Sequence, residues 1–215
     1  MHLYRIPYLI LSSCLLLLSC APVHKQMQSA TADVNVLQKF KPAFTVALYN
    51  TTVDVVGNHL SGLLLIKKMP DSSTRIVFSN EMGFTFFDFE FAGDGTFKVY
   101  SIIKKMNKKS VVKTLQHDFE LILMNNLDNS KAIVKTSEGL TYFIFPQPNG
   151  FNYYITNQRG DELVRMERAS NKKTIVEAVM KNYINPLGSV SGIPDTIGIT
   201  HKTFEFNIGL KRIER

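Results

Sequence analysis

Side chains that could perform acid–base or metal chemistry are few and scattered along this chain. Beyond the first twenty residues, its histidines are His24, His59, His117 and His201. No two of them have the i, i+3 or i, i+4 spacing that would place two ligands on one helix face. The sequence also lacks HExxH, GxSxG and glycine-rich phosphate-binding motifs. We therefore predict that the protein is not an enzyme and holds no metal ion.

One pair of carboxylates, Asp88 and Glu90, has a spacing that could support chemistry. Residues two apart in a strand point to the same face and lie ~7 Å from each other. Two carboxylates on one face can serve acid–base catalysis. No other reactive group converges on this pair in the sequence, so we favour a solvated strand face over a catalytic dyad.

Cysteine occurs only near the amino terminus, at Cys14 and Cys20. Arg5 precedes an apolar run from Tyr8 to Leu18. At ~1.5 Å per residue this run is too short to cross a hydrocarbon core of ~30 Å. Its length and its basic start are typical of a secretory signal peptide. An ordinary signal peptide without lipid, or a buried amino-terminal helix, is the alternative.

The run ends in Leu17-Leu18-Ser19-Cys20, which resembles the lipobox of bacterial lipoproteins. This resemblance implies that residues 1–19 are removed as a signal peptide and that Cys20 carries diacylglycerol and an N-acyl chain. Cys14 also follows a small residue, but cleavage there would leave an apolar region of about six residues, below the usual ~7–15. We therefore predict lipidation at Cys20, with no other cofactor.

The formal net charge is +7, and removal of Arg5 with the signal peptide lowers it by one. For an exported protein, a basic surface fits anionic lipid or glycan better than nucleic acid. A solvated basic face without a partner is the alternative. The excess charge lies in Lys104, Lys105, Lys108, Lys109, Lys113, Lys172, Lys173, Lys211 and Arg212.

Residues 20–40 are small and polar and are typical of a tether. After them the apolar residues alternate with period two, so we assign one domain to residues 41–215. The sequence predicts strands at Phe44–Val56, His59–Lys68, Thr74–Ser79, Gly83–Phe91, Thr96–Ile103, Ala132–Thr136, Leu140–Phe145, Phe151–Thr156, Glu162–Arg168, Lys173–Tyr183, Thr196–His201 and Thr203–Ile213.

One helix interrupts these strands, at about 108–126. Val111 or Val112, followed by Leu115, Phe119 and Ile122, has the spacing of one helical stripe. Ser110 is a candidate for the helix cap. A second, short helix is possible within 32–41.

Antiparallel strands in this number, broken by one helix, predict a mainly β fold: a strongly curved or barrel-like sheet. Alternation places Phe87, Phe89 and Phe91 on one face, and Phe206 and Ile208 on another strand's apolar face. These faces either line an apolar cavity or belong to a core filled by side chains and the helix. The filled core is the commoner outcome in small barrels.

Three segments, in order, resemble the lipoprotein localisation (LolA/LolB-like) family, and most closely its outer-membrane lipoprotein receptor. They are Arg75–Glu90 with the loop Ser79-Asn80-Glu81-Met82-Gly83, the basic helix 108–126, and Thr174–Ile213. The resemblance implies an unclosed antiparallel β-barrel with helices over its concave face. It also implies an interior that holds acyl chains, and places Met82 where the receptor has a protruding leucine that contacts the membrane.

From the resemblance we expect a lipid cavity lined by Phe87, Phe89, Phe91, Phe119, Phe206 and Ile208. The expected protein is a monomeric, non-enzymatic carrier or acceptor of membrane lipid or lipoprotein acyl chains, and a periplasmic carrier protein is its candidate partner. Because Ala21 rather than Asp follows Cys20, we expect it at the outer membrane, facing the periplasm. The alternative is an accessory lipoprotein with a filled core that binds protein or glycan. A lipid-releasing hydrolase ranks third.

Overall fold

The protein was analysed as a computed structural model that describes residues 27–125, 127–184 and 192–213. The predicted signal peptide, both cysteines and residues 20–26 of the expected tether lie outside the described residues. Within them the strands are β1 Gln28–Ser29, β2 Val46–Val55, β3 Asn58–Lys68, β4 Thr74–Ser79, β5 Thr85–Phe91, β6 Phe97–Ile102, β7 Ile133–Ser137, β8 Leu140–Gln147, β9 Gly150–Asn157, β10 Leu163–Ala169, β11 Thr174–Ile184, β12 Ile193–His201 and β13 Phe206–Arg212.

All strands join one antiparallel sheet in the order β1-β7-β8-β9-β10-β11-β12-β13-β2-β3-β4-β5-β6. The sheet is curved. It is unclosed because its two edge strands, β1 and β6, do not pair with each other. The predicted mainly β, unclosed barrel is confirmed. Twelve of the strands match the predicted ones in order, while the two-residue β1 has no signal in the sequence.

Side-chain alternation explains why most of these segments form strands with one buried face, whereas β8 and β9 are buried on both faces. Phe87, Phe89 and Phe91 of β5 point into the core and are at most 4% exposed. Their neighbour Asp88 points to the other face. Along β13, Phe206 and Ile208 are buried in the same core. The core therefore lies on the concave side of the sheet.

The helix α1, Lys109–Leu123, connects β6 to β7. Since these strands lie at opposite ends of the sheet, the helix crosses the concave face and covers it. Leu115, Phe119 and Ile122 of the predicted stripe are buried there. The predicted cap at Ser110 is wrong, because the helix begins after Lys108, whose side chain makes no capping hydrogen bond.

Residues 27–40 pack against the domain, which differs from the expected tether at 20–40. Gln28 and Ser29 pair with β7. A 3-10 helix, Val34–Phe40, follows, and Asp33 caps its start by accepting a hydrogen bond from the Asn35 N–H at 2.9 Å. Leu37 is fully buried. Alternating small apolar residues in this stretch gave too weak a pattern to distinguish a packed segment from a tether.

Candidate functional site

An apolar cleft opens at the end of the sheet where the β2–β3 turn and the start of α1 meet. It has a volume of about 450 Å³, which lies within the ~300–1,000 Å³ of typical small-molecule sites. Strands β2, β3 and β13, the β6–α1 connection and the first turns of α1 contribute its walls. The lining residues are Val53, Val55, Val56, Asn58, Leu60, Ile103, Lys105, Met106, Lys108, Ser110, Val111, Thr114, Phe204 and Phe206.

The wall of the cleft is mostly hydrophobic, and part of it is open to solvent. Val53 and Phe206 are buried at its base. Val56 and Phe204 at the rim are 67% and 44% exposed. Large apolar side chains exposed around a concavity are a common property of ligand sites and membrane-contact sites.

The cleft has a basic edge. Lys105 donates a hydrogen bond from Nζ to Asn58 Oδ1 at 3.0 Å, which ties the β6–α1 connection to the β2–β3 turn. Lys108 lines the same edge. The arrangement therefore combines an apolar wall with ammonium groups at one side.

Two larger depressions have more polar walls. One, of about 770 Å³, runs across β2, β12 and β13 and includes Thr51, Thr52 and Lys211. The other, of about 880 Å³, lies between β6 and α1 and includes Ser101, Lys109 and Gln116. Neither offers an enclosed apolar wall, so the smaller cleft is the better candidate for an apolar ligand.

The six residues predicted to line a lipid cavity fall into two groups. Phe206 lines the cleft, and Ile208 is buried one position further along the same face of β13. The other four are Phe87, Phe89, Phe91 and Phe119.

These four rings pack against one another instead of enclosing a space. The ring centroids of Phe87 and Phe89 are 4.5 Å apart, and Phe119 lies 5.8 Å from Phe87 and 6.3 Å from Phe91. Such distances are those of ordinary aromatic contacts in a core. The interior beneath α1 is therefore filled in this region, and the cleft lies at its end.

Sequence reasoning missed most of the cleft wall. Val53 and Val55 of β2 alternate with Thr52 and Asp54, so their common face was visible in the sequence. Met106 carried no such signal, because it belongs to an irregular connection, whereas Val111 was one of the two candidates for the first position of the helical stripe.

The carboxylates Asp88 and Glu90 are fully engaged by neighbours and form no catalytic pair. Arg75 donates to Asp88 from Nε and Nη2, at 2.6 and 2.7 Å, and its guanidinium stacks over Tyr100. Glu90 accepts hydrogen bonds from Tyr100 Oη at 3.1 Å and from Lys98 Nζ at 3.3 Å. Glu90 is also 6% exposed, so its predicted solvated position is wrong.

A buried, hydrogen-bonded pair of side chains, Asp118 and His201, lies behind the cleft. His201 Nε2 is 2.9 Å from Asp118 Oδ2, which joins the end of β12 to α1. Burial raises the pKa of the Asp118 carboxyl, and the hydrogen bond from His201 opposes that rise. The imidazole packs against both Phe204 and Phe206, whose ring centroids are each 4.8 Å from it and 5.9 Å from one another. Both side chains are at most 2% exposed and cannot reach a ligand in the cleft, so the pair fastens the helix to the sheet.

Met82 is 93% exposed in the turn between β4 and β5. The turn is ordered by its own hydrogen bonds, since Asn80 Oδ1 accepts from the Phe84 N–H at 2.8 Å and Gly83 has a φ of +84°. Phe84, next to it, is 57% exposed. Below the turn, Gly62 is required, because a Cβ there would lie 2.1 Å from the Ser79 carbonyl oxygen.

No family model and no curated protein matches this chain. Among solved structures, it is similar to a LolA superfamily protein from Nitrosomonas europaea at 10% identity, with a TM-score of 0.49 over 86% of this chain and 93% of that one.

A second similar structure is named as an outer membrane lipoprotein-sorting protein domain, from Vibrio parahaemolyticus, with 8% identity and a TM-score of 0.45. The aligned region covers 84% of this chain and 88% of the Vibrio chain. A DUF1329 family protein from Desulfovibrio piger has 8% identity and a TM-score of 0.43 over the same shares. At these identities the likeness concerns the shape of the sheet alone.

In the described parts of the chain, no helix is both long enough and apolar enough to cross a membrane. Those parts also contain no group of three or more histidine, cysteine, aspartate or glutamate side chains arranged to hold a metal ion.

Proposed function

We propose that this protein is a non-enzymatic lipoprotein whose cleft binds an acyl chain, as a carrier or acceptor in lipid or lipoprotein transfer. The observation that supports this is the cleft of about 450 Å³, whose mostly apolar wall is formed by β2, β3, β13 and α1. Moving each CH2 of a chain from water into such a wall stabilises the complex by ~0.8 kcal/mol. Burial of the chain is therefore enough to drive transfer from a shallower donor site.

Lipid on Cys20 would hold the domain at the outer membrane, facing the periplasm, where a carrier protein could deliver its cargo. Several acyl chains on one residue anchor far more strongly than a single chain. The exposed Met82 turn would then touch the bilayer surface.

A second candidate is an accessory lipoprotein that binds protein or glycan through its surface. The filled interior beneath α1, where Phe87, Phe89 and Phe119 pack together, favours this function. It needs no ligand inside the sheet.

Lipid that co-purifies with the full chain separates the two. We would extract the protein from membranes, exchange it into a non-ionic amphipol, and identify non-covalent lipid by mass spectrometry. Val111→Trp fills the cleft from α1, and Lys113→Trp adds the same bulk at an exposed position of the same helix. The acyl-chain function requires lipid in the wild type and in Lys113→Trp, with loss in Val111→Trp. Equal lipid in all three would favour the accessory function.

A further inference from the structure

We infer that the cleft selects amphiphiles with an anionic head group, a carboxylate or a phosphate, over neutral ones. This inference rests on the proposed acyl-chain function and adds the chemistry of the head. The head group would lie at the edge formed by Lys105, Lys108 and the first turn of α1, with its chain along Val53, Leu60 and Phe206.

The first support is uncompensated positive charge. Between positions 103 and 114 the chain has five lysines, Lys104, Lys105, Lys108, Lys109 and Lys113, and no acidic residue. In the described part of the chain, the lysines that pair with carboxylates are others: Lys98, Lys131, Lys202 and Lys211.

Lys105 reaches into this edge through a neutral partner, the Asn58 side-chain oxygen. An anion bound here would therefore not have to displace an existing ion pair. It would also avoid the cost of breaking one.

The second support is the start of α1. Its first N–H groups have no intrahelical partner, and the side chain of the capping position Lys108 makes no hydrogen bond to them. Ser110 and Val111 of this first turn line the cleft. A helix amino terminus attracts anions through these N–H groups and the helix dipole. The free helix start and the two lysines thus act on the same place.

The third support is the order of polarity along the cleft. Its buried end is apolar, at Val53 and Phe206, and its charged groups stand at one edge. An amphiphile has the same order, with an apolar chain ending in a polar head. A neutral ester with the same acyl chain would fill the cleft equally well, but it would place no negative charge beside Lys105 and Lys108.

The experiment uses contact quenching of a tryptophan placed in the cleft. The natural chain has no tryptophan, so Met106→Trp in the full chain, held in a non-ionic amphipol, provides one reporter in the wall. The probes are dibromostearic acid and its methyl ester, which have the same chain and differ in head charge. Val46→Trp, at the other end of β2, serves as the distant control reporter.

We expect both probes to quench the Met106→Trp reporter, and the acid to bind more tightly. Lys105→Gln combined with Lys108→Gln should raise the Kd of the acid about five- to tenfold, because two screened charge contacts near a helix start are lost. The Kd of the ester should stay the same. Lys172→Gln with Lys173→Gln removes the same charge from an exposed turn elsewhere and should change neither.

Each outcome has a distinct meaning. Equal affinity for acid and ester, unaffected by the lysine changes, would overturn head-group selection while leaving acyl-chain binding intact. No specific quenching at position 106 by either probe would overturn the acyl-chain function itself. A third probe, dibromostearoyl lysophosphatidic acid, separates the sources of the anion. Preference for it over the fatty acid indicates a phospholipid head, and the reverse indicates a free fatty acid.

Discussion

Within one hairpin, two large apolar residues have opposite environments. Met82 is 93% exposed in the β4–β5 turn, while Phe89 of β5 is fully buried and stacked on Phe87. The difference follows from position, because Met82 lies in a solvent-exposed turn and Phe89 lies on the face of β5 that packs into the core. A large apolar side chain is therefore open to solvent in one place and part of the core in the other.

We expect Met82→Glu to weaken liposome binding by residues 21–215 without changing the fold. An exposed site tolerates a charge within about ±0.5 kcal/mol of stability, whereas a carboxylate resists contact with lipid. Cosedimentation with phosphatidylglycerol vesicles measures the first effect and urea unfolding the second. Val46→Glu, which replaces an apolar residue that is 58% exposed at the far end of β2, is the control. If Met82→Glu unfolds the domain, or Val46→Glu weakens binding as much, the proposed membrane contact is wrong.

Buried tyrosines predict how stability depends on alkaline pH. Burial raises the pKa of Tyr49, Tyr154 and Tyr183, so their phenols stay neutral in the folded state. In the unfolded chain they lose their protons above a pH of about 10. The unfolded state then binds fewer protons than the folded state, so the free energy of unfolding falls as pH rises above that value.

Tyr154→Phe should make this fall less steep by about one proton, or ~1.4 kcal/mol per pH unit. At neutral pH the loss of its hydrogen bond to the Leu121 carbonyl, at 3.4 Å, should cost about 1 kcal/mol or less. Urea unfolding between pH 9 and 11 measures the slope. Parallel curves for wild type and variant would show that Tyr154 ionises in the folded state as well.

At the scale of elements, α1 has two tasks. It connects the two ends of the unclosed sheet, and it supplies the apolar stripe that fills the concave face. The hydrogen bond between Asp118 and His201 fastens the same helix to β12. The cleft lies where the first turn of α1 faces the β2–β3 turn. The aromatic rings that fill the space beneath the rest of the helix do not extend to this position.

We expect Phe119→Ala to lower the free energy of unfolding by ~3–5 kcal/mol, because the ring is fully buried among Phe87 and Phe91. Urea titration followed by circular dichroism measures it. Lys113→Ala, at an exposed position of α1, should change it by less than about 0.5 kcal/mol. A stability of Phe119→Ala equal to that of Lys113→Ala would mean that the stripe is not part of the core.

At the scale of the whole molecule, the amino-terminal segment is packed against the sheet before the first long strand begins. Strand β1 begins at Gln28, one residue after the first described residue. Between β1 and β2, the side chain of Leu37 is buried in the core. If Cys20 carries lipid as proposed, only residues 21–26 separate the anchor from the first described residue, Met27. A connection this short would keep the domain close to the bilayer.

We predict that Cys20 carries the anchor and Cys14 does not. Cys20→Ala should produce an uncut precursor that takes up no labelled palmitate, whereas Cys14→Ala should be cut and labelled normally. The reason is the apolar region, which is long enough for a signal peptide only before Cys20. Metabolic labelling followed by gel analysis checks it, and equal labelling of both variants would contradict it.

The sequence by itself determined the class of fold, since alternation of apolar residues predicted twelve strands in order and the stripe at Leu115, Phe119 and Ile122 predicted α1. It also placed Phe87, Phe89 and Phe206 on buried faces. Periodicity is a local property and records which side of an element avoids water.

What lies opposite that side was decided only by the tertiary structure. Phe87 meets Phe119 across the concave face and fills it, while Val53 and Phe206 meet an irregular connection and leave a cleft. Glu90, expected in solvent, is covered by Tyr100 and Lys98 from the neighbouring strand. Whether a cavity forms depends on how closely side chains from distant segments pack against one another. The spacing of residues along the chain does not contain this information.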